Sequence, residues 1–175
     1  MGALPGGDGV LLKSSVEDRR ARAAYLVDEL LGAYARAVDD QDFTAWLALF
    51  ATECAYEVRA MENVREGLPL AYMMDDCRER LADRVKMIQE VWAGTVEPYD
   101  TRHFQQRTAM RELGEDRWEV RSNVLVTYTG APGEPGILVS GYSEDVVVLD
   151  DETALFQQKF VVVDNTPPRY LVYPV

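Results

Sequence analysis

This chain of 175 residues has one histidine, two cysteines and no strongly basic run. Each shortage excludes something. A single imidazole, His103, cannot supply a mononuclear iron site of the two-histidine, one-carboxylate kind, a Rieske cluster with its two histidines and two cysteines, or a conventional zinc hydrolase centre. Cys54 and Cys77 sit in apolar contexts without metal-ligand spacing, which reads as buried thiols of a reducing compartment and not as a disulfide. Lys plus Arg 18 against Asp plus Glu 30 leaves a formal charge of −12, which opposes binding to nucleic acid phosphates and to anionic membranes. No apolar stretch has the length of a bilayer span or of a signal-peptide core, so the expectation is a cytoplasmic chain. A phosphate-cradling loop is missing too, because residues 130–136 form a Pro-broken hairpin turn with neither a following helix nor a lysine. So is a nucleophile elbow.

What is present is pattern. At 47% apolar composition the chain is long enough for one substantial core and short for two, which predicts a flexible Gly-rich segment over residues 1–13 and a single domain over 14–175. Ser14 and Glu17 have capping-box spacing. Val16, Ala23, Val27, Leu30, Leu31, Tyr34 and Val38 follow at helical period, predicting a first helix from Ser14 toward Asp39. Asp39, Asp40 and Asp42 then precede Phe43, Trp46, Leu47 and Phe50, which share one face of a second helix over 43–50. Residues 54–58 alternate like a short strand. A third helix is predicted from Asp75 or Asp76, with Cys77, Leu81, Val85, Ile88 and Trp92 on one face and Gly94 and Pro98 closing it.

From Thr101 onward the period becomes strand-like. Runs over 102–113, 118–129, 137–149 and 155–164, separated by short turn signals, predict an antiparallel meander. In the second run Trp118, Val120, Val124, Val126 and Tyr128 share a face. Helices followed by a long twisted sheet predict an α+β fold, a cone-shaped roll. Three N-terminal helices would pack on a curved, mainly antiparallel sheet, as in nuclear transport factor and ketosteroid isomerase. That architecture serves isomerases, dehydratases, cyclases and non-catalytic subunits alike, so it does not decide activity.

Few residues offer chemistry. His103, early in a strand between Arg102 and Phe104, is a candidate general acid or base, and the structural reading of a hydrogen-bonded interior or interface histidine is preferred over it. For a stand-alone acid–base enzyme the best candidates are Tyr34, Glu57 and His103. The aspartates at 39, 40 and 42, and Asp75 with Asp76, are explained by capping and solvation. Glu144 and Asp145, in a strand continued by Val146, Val147 and Val148, suit an ion pair with Arg121 or Arg107. Tyr34, Tyr56 and Tyr142 are placed to line a cone cavity or to fill the core.

Taken in order, the segments resemble the β (small) subunit of aromatic-ring-hydroxylating dioxygenases. The residues that carry the likeness are the 42–50 helix with Tyr56, then Asp75-Asp76 with Leu81, Arg84 and Val85. Arg102-His103, the strand 120–126, and Gly141 with Glu144-Asp145-Val146 complete it. The resemblance implies that no residue of this chain is catalytic, binds a cofactor or holds a metal. The Rieske iron-sulfur cluster and the mononuclear iron are expected in a partner α subunit. A homotrimer or an α3β3 hexamer is implied, with this chain supporting assembly in the breakdown of aromatic compounds. The alternatives are a stand-alone dehydratase, isomerase or cyclase, and a small-ligand-binding module. The ending around Tyr170, Leu171, Val172 and Tyr173 departs from the asparagine-rich aromatic tail common in that family, and a segment this apolar is expected to bury against something.

Overall fold

A computed structural model describes residues 8–175 except Pro132 and Asp151; residues 1–7, and the part of the flexible-segment expectation that falls on them, lie outside the described residues. Helix α1 spans Asp8–Asp39, so it starts ahead of the capping-box pair, and Ser14 lies inside the helix and not at its cap. Leu26, Val27, Leu30, Leu31, Tyr34, Ala37 and Val38 are buried at three- and four-residue spacing, the stripe by which a long helix is held. Val16, assigned by period to the same face, is 59% exposed.

Helix α2 (Phe43–Ala48) begins at Asp42, whose side chain accepts the backbone N–H of Ala45 at 2.9 Å. This is an N-cap of the expected kind. Strand β1 runs Phe50–Ala60, longer at both ends than the alternation suggests and taking up Phe50 from the expected helix. The segment after it contains a short helix α3 (Met61–Arg65) and a strand β2 (Met73–Asp75) that the sequence does not announce. Asp75 therefore pairs with Tyr56 in the sheet and does not start a helix. Helix α4 (Arg78–Lys86) begins after Cys77 and passes into a π-helical turn, Met87–Val91. Asp75 receives Arg84 in a largely buried ion pair that ties α4 to β2.

The four long strands are β3 (Tyr99–Gly114), β4 (Arg117–Gly130), β5 (Pro135–Leu149) and β6 (Ala154–Val163). They form the expected meander within a six-stranded sheet of order β2-β1-β6-β5-β4-β3. The β3–β4 loop is Glu115-Asp116, both at positive φ (53° and 55°), as a two-residue turn matched to strand twist requires. The contact hidden from local pattern is β1 on β6, the one parallel pair, with Tyr56 opposite Lys159 and Val58 opposite Val161. Irregularities at Phe50/Ala55, Arg107/Ala109, Val126/Thr127 and Val146/Val147 break the ladders. Such bulges bend strands, and here the sheet curls around α1, whose partners include β3, β5 and β6.

Gly141 marks the tightest approach within this sheet. A Cβ there would stand 1.9 Å from the carbonyl oxygen of Val162 on β6, and both strands are held by their ladders. Gly141→Ala is therefore expected to lower unfolding stability by about 3 kcal/mol or more, at the upper end for overpacking. Ser140→Ala beside it should change stability by less than about 0.5 kcal/mol. Urea denaturation of the two variants checks the pair.

Candidate functional site

The cone interior is built where α1 crosses the concave face. Tyr34 from α1, Trp46 from α2, Phe50 and Tyr56 from β1 and Phe156 from β6 are all buried. Their rings meet edge to face or tilted, with Tyr34–Phe156 centroids at 5.7 Å and Trp46–Tyr56 at 5.5 Å, arrangements that favour aromatic packing. The two tyrosine hydroxyls converge on the backbone of Val175. Tyr34 donates to its main-chain oxygen at 2.8 Å, Tyr56 donates to the same oxygen at 3.3 Å, and the Val175 N–H donates back to Tyr56 at 2.9 Å. Burial pushes Tyr34 well above the usual tyrosine pKa, and pushes Tyr56 up to about 12.

The tail that brings Val175 there folds back on its own chain. Val172, Pro174 and Val175 are buried, Tyr173 stacks on Phe43 at 5.6 Å, and Tyr99 donates to the carbonyl of Tyr170 at 3.1 Å. Tyr170 is 87% exposed.

Two buried polar constellations share the concave face. In the first, Asp39 at the end of α1 accepts His103 Nδ1 at 2.6 Å, the His103 backbone N–H at 3.0 Å and the Thr101 hydroxyl at 3.0 Å. Burial works to raise the Asp39 pKa, and the hydrogen bonds from His103 and Thr101 outweigh it, so the carboxyl lies below its usual value. The aspartate expected to cap α2 thus holds the histidine, and Asp42 alone does the capping. The His103 side chain is fully buried, its ring meets Tyr34 at 6.2 Å, and its Nε2 has no partner.

In the second, Lys159 and Asp145 are both fully buried with Nζ and Oδ2 3.4 Å apart. Ser143 donates to the same carboxylate oxygen at 3.0 Å, and Lys159 also donates to Gln105 Oε1 at 3.2 Å. The ammonium lies over the rings of Tyr34 (4.6 Å) and Phe156 (4.9 Å), a cation–π arrangement that replaces part of its lost hydration. Burial pushes Asp145 up and Lys159 down, each resisted by the other's charge. Glu144, pointing the other way, forms the expected cross-strand pair with Arg121 at 3.0 Å. Arg107 instead reaches Asp28 of α1.

The structure brings Tyr34 and His103 together and leaves Glu57 apart. Glu57 alternates away from buried Tyr56 and Val58 and pairs with Arg59. Tyr142 also faces away from the interior group, under the guanidinium of Arg121 at 4.4 Å. Lys159 is a site residue that sequence reasoning misses. The available signal is a lysine that alternates with Phe160 and is followed by the apolar run Val161 to Val163 in β6. Among the described residues no group of three His, Cys, Asp or Glu side chains could hold a metal ion, and the nearest carboxylate to the single imidazole is already committed to it. The donor set does not fit a Rieske cluster or a mononuclear iron. Chemically the interior offers one unpartnered imidazole nitrogen, two tyrosines whose protons are spoken for, and an ion pair that neutralises itself.

The sequence profile of the family described as "ring hydroxylating beta subunit" matches residues 33–167. The small subunit of anthranilate 1,2-dioxygenase from Burkholderia cepacia is 26% identical over 143 residues, covering 82% of this chain and 88% of that protein. A crystal structure of a β subunit assigned to an aromatic-ring-hydroxylating dioxygenase of Novosphingobium aromaticivorans superposes with a TM-score of 0.79. It is 28% identical and covers 89% of this chain and 99% of its own. A protein from the same organism assigned as a scytalone dehydratase shares the fold, with a TM-score of 0.68 at 18% identity over 87% of this chain and 92% of its own.

Two substitutions test the interior. Asp39→Asn puts an amide donor against donors, and at pH 7 should cost about 1–3 kcal/mol. Because the folded pKa of Asp39 is lowered, its contribution is complete above the ordinary aspartate range and is lost as pH falls through the folded value. The gap between wild type and variant should therefore narrow below about pH 4, which acid and urea titrations read directly. Lys159→Met strands Asp145 and should cost about 3–5 kcal/mol, whereas Lys159→Met with Asp145→Leu should recover most of the loss. Chemical denaturation of the three chains measures it.

Proposed function

Because the chain belongs to the ring-hydroxylating β-subunit family, we propose that it is the non-catalytic small subunit of an aromatic ring-hydroxylating dioxygenase. In this reading it assembles with a Rieske-type α subunit, which carries the iron-sulfur cluster and the mononuclear iron, and supports it in the breakdown of aromatic compounds. The complex is a β homotrimer joined to three α chains, an α3β3 hexamer, and works in the cytoplasm. Free thiols at Cys54 and Cys77 are in keeping with a reducing compartment. No described helix is long and apolar enough to cross a membrane.

The observation that carries the reading beyond family membership is the use of the cone interior. The interior between Tyr34 and Tyr56 is filled by the chain's own Val175, held by both tyrosine hydroxyls. Assembly is further supported by apolar side chains that a lone chain leaves wet. Phe104 and Leu125 are register partners, 59% and 36% exposed, and Ile137, opposite Thr127 on the neighbouring strand, is 54% exposed. Contiguous apolar surface of this kind marks interaction sites.

A stand-alone acid–base enzyme is the second reading, favoured by the unpartnered Nε2 of His103. It requires that the chain act alone on a small cyclic substrate and that His103→Gln lower that rate by roughly two to four orders of magnitude.

The subunit reading is tested by expressing the chain with and without a Rieske-type α subunit of its own source. Native mass spectrometry should find the two in equal numbers. Metal analysis should find iron in proportion to α, with less than about 0.1 iron per chain when this chain is purified alone and washed with chelator. A strictly monomeric chain that captures no α subunit, or near-unit iron retained by the isolated chain, defeats the assignment.

A further inference from the structure

Strand β2 lies antiparallel to β1, with Val58 opposite Met73, Glu57 opposite Met74 and Tyr56 opposite Asp75. Carried two residues further, the same count sets Cys54 opposite Cys77. The backbone at Cys77 is still extended, at φ −156° and ψ 166°, which continues the line of β2. Both thiols take the same face. Cys54 alternates with Tyr56 and Val58, all three buried, and half-buried Cys77 follows buried Met73 and Asp75, with Met74 and Asp76 exposed between them. Arg78, next in the chain after Cys77, donates to the carbonyl oxygens of Phe50 at 2.5 Å and Ala51 at 3.4 Å, which fastens this turn onto β1 just ahead of Cys54. Burial pushes the Cys54 thiol up, Arg78 draws it back, and Cys77 adds to the rise, an influence that groups near the surface exert only at short range.

We propose that Cys54 and Cys77 are a thiol pair that closes into a cross-strand disulfide by exchange with a small disulfide of the glutathione kind, and reopens when thiol is in excess. Residues directly opposite on antiparallel strands have Cα atoms about 4.5–5.5 Å apart, inside the span of about 4.4–6.8 Å that a disulfide needs. Both cysteines are free thiols here. Cys77, partly open to solvent, attacks one sulfur of oxidised glutathione and releases one glutathione thiolate. The Cys54 thiolate then attacks the Cys77 sulfur and releases the second glutathione, a step that asks no solvent access of buried Cys54. In all, the two cysteines give up two electrons and two protons, and the small disulfide takes them up to become two thiols. Strand β1 breaks register with β6 between Phe50 and Ala55, and a break of this kind leaves residues unpaired, so the backbone at Cys54 can adjust as the sulfurs meet. The closed bond joins the start of α4 covalently to β1, across the edge that Asp75 and Arg84 hold by charge.

The test uses the full chain, folded, with oxidised glutathione at about pH 8, near the ordinary thiol range. The intact mass should fall by two hydrogens, both sulfurs should become closed to iodoacetamide, and a digest should yield one peptide pair joined through Cys54 and Cys77. Excess reduced glutathione should reverse all three. The oxidised chain should unfold at a higher urea concentration than the reduced one, because a bond that fits the native geometry constrains the unfolded chain. Cys54→Ser should stop at the mixed disulfide and keep one glutathione, and Cys77→Ser should react at least about tenfold more slowly, its remaining thiol being buried. Two thiols that stay open, a chain that keeps two glutathiones, bonds formed only between chains, or an oxidised form that unfolds at lower urea overturns the proposal. The mass and peptide map of the unaltered chain decide the matter even where a variant fails to fold. Every readout is taken on this chain alone, so the thiol pair and the subunit assignment stand or fall separately.

Discussion

The hydroxyls of Tyr34 and Tyr56 meet at the backbone of Val175, and the closure of the cone depends on that meeting. Tyr34 belongs to the long helix, Tyr56 to the strand that pairs with β6, and Val175 to a tail arriving from beyond the sheet. Three segments distant in sequence are joined through one main-chain oxygen in a buried site. A buried hydrogen bond is modest in net worth, but a buried donor left without its acceptor is costly, so each of the three segments is held by the other two. The aromatic rings packed around the junction make the same point in apolar terms, since Trp46, Phe50 and Phe156 have no other surface to cover.

Polar groups inside the cone come in matched sets, and matching is what allows them to be there. Asp39 accepts three hydrogen bonds and fixes His103. Asp145 and Lys159 cancel in charge while the lysine rests on two aromatic faces. Buried ion pairs of this kind contribute little net stability over apolar residues of equal volume, yet they penalise any arrangement that separates them. Here the pair joins neighbouring strands β5 and β6 under the long helix, so a slip of either strand would strand both charges. Buried atoms left without a hydrogen-bond partner, among them Trp46 Nε1, His103 Nε2, Gln105 Nε2 and Asp145 Oδ1, depart from this matching.

Much of the fold was legible in the sequence because its signals are local. The stripe from Leu26 to Val38, the Asp42 cap, the alternation of Trp118, Val120, Val124 and Val126, and the turn residues between strands each act within a few positions. The ordered likeness to ring-hydroxylating β subunits was legible for the same reason, being carried by short segments in a fixed order. What was misjudged lay at element ends or in irregular chain. Asp75 reads as a helix start and becomes a strand residue paired with Tyr56, because pairing with a distant strand outweighs local capping preference. The tail, by contrast, is expected to bury against something and does so, against Phe43, Tyr99 and the two interior tyrosines.

The sequence by itself determined the number of imidazoles and thiols, the acidic charge and the order of the long helix and the four long strands, and with the single imidazole the exclusion of a two-histidine, one-carboxylate iron site and of a Rieske cluster. These follow from composition and from periods of two and of about 3.6 residues, which need no knowledge of neighbours. Only the tertiary structure decided that β1 lies parallel to β6, that Asp39 serves His103 and not a helix end, and that Lys159 is buried on Asp145. It alone decided that Glu57 stands apart from Tyr34 and His103. Each of those outcomes depends on which strand lies beside which once the sheet has curled around α1, and that choice is made by long-range packing energy that no local window contains.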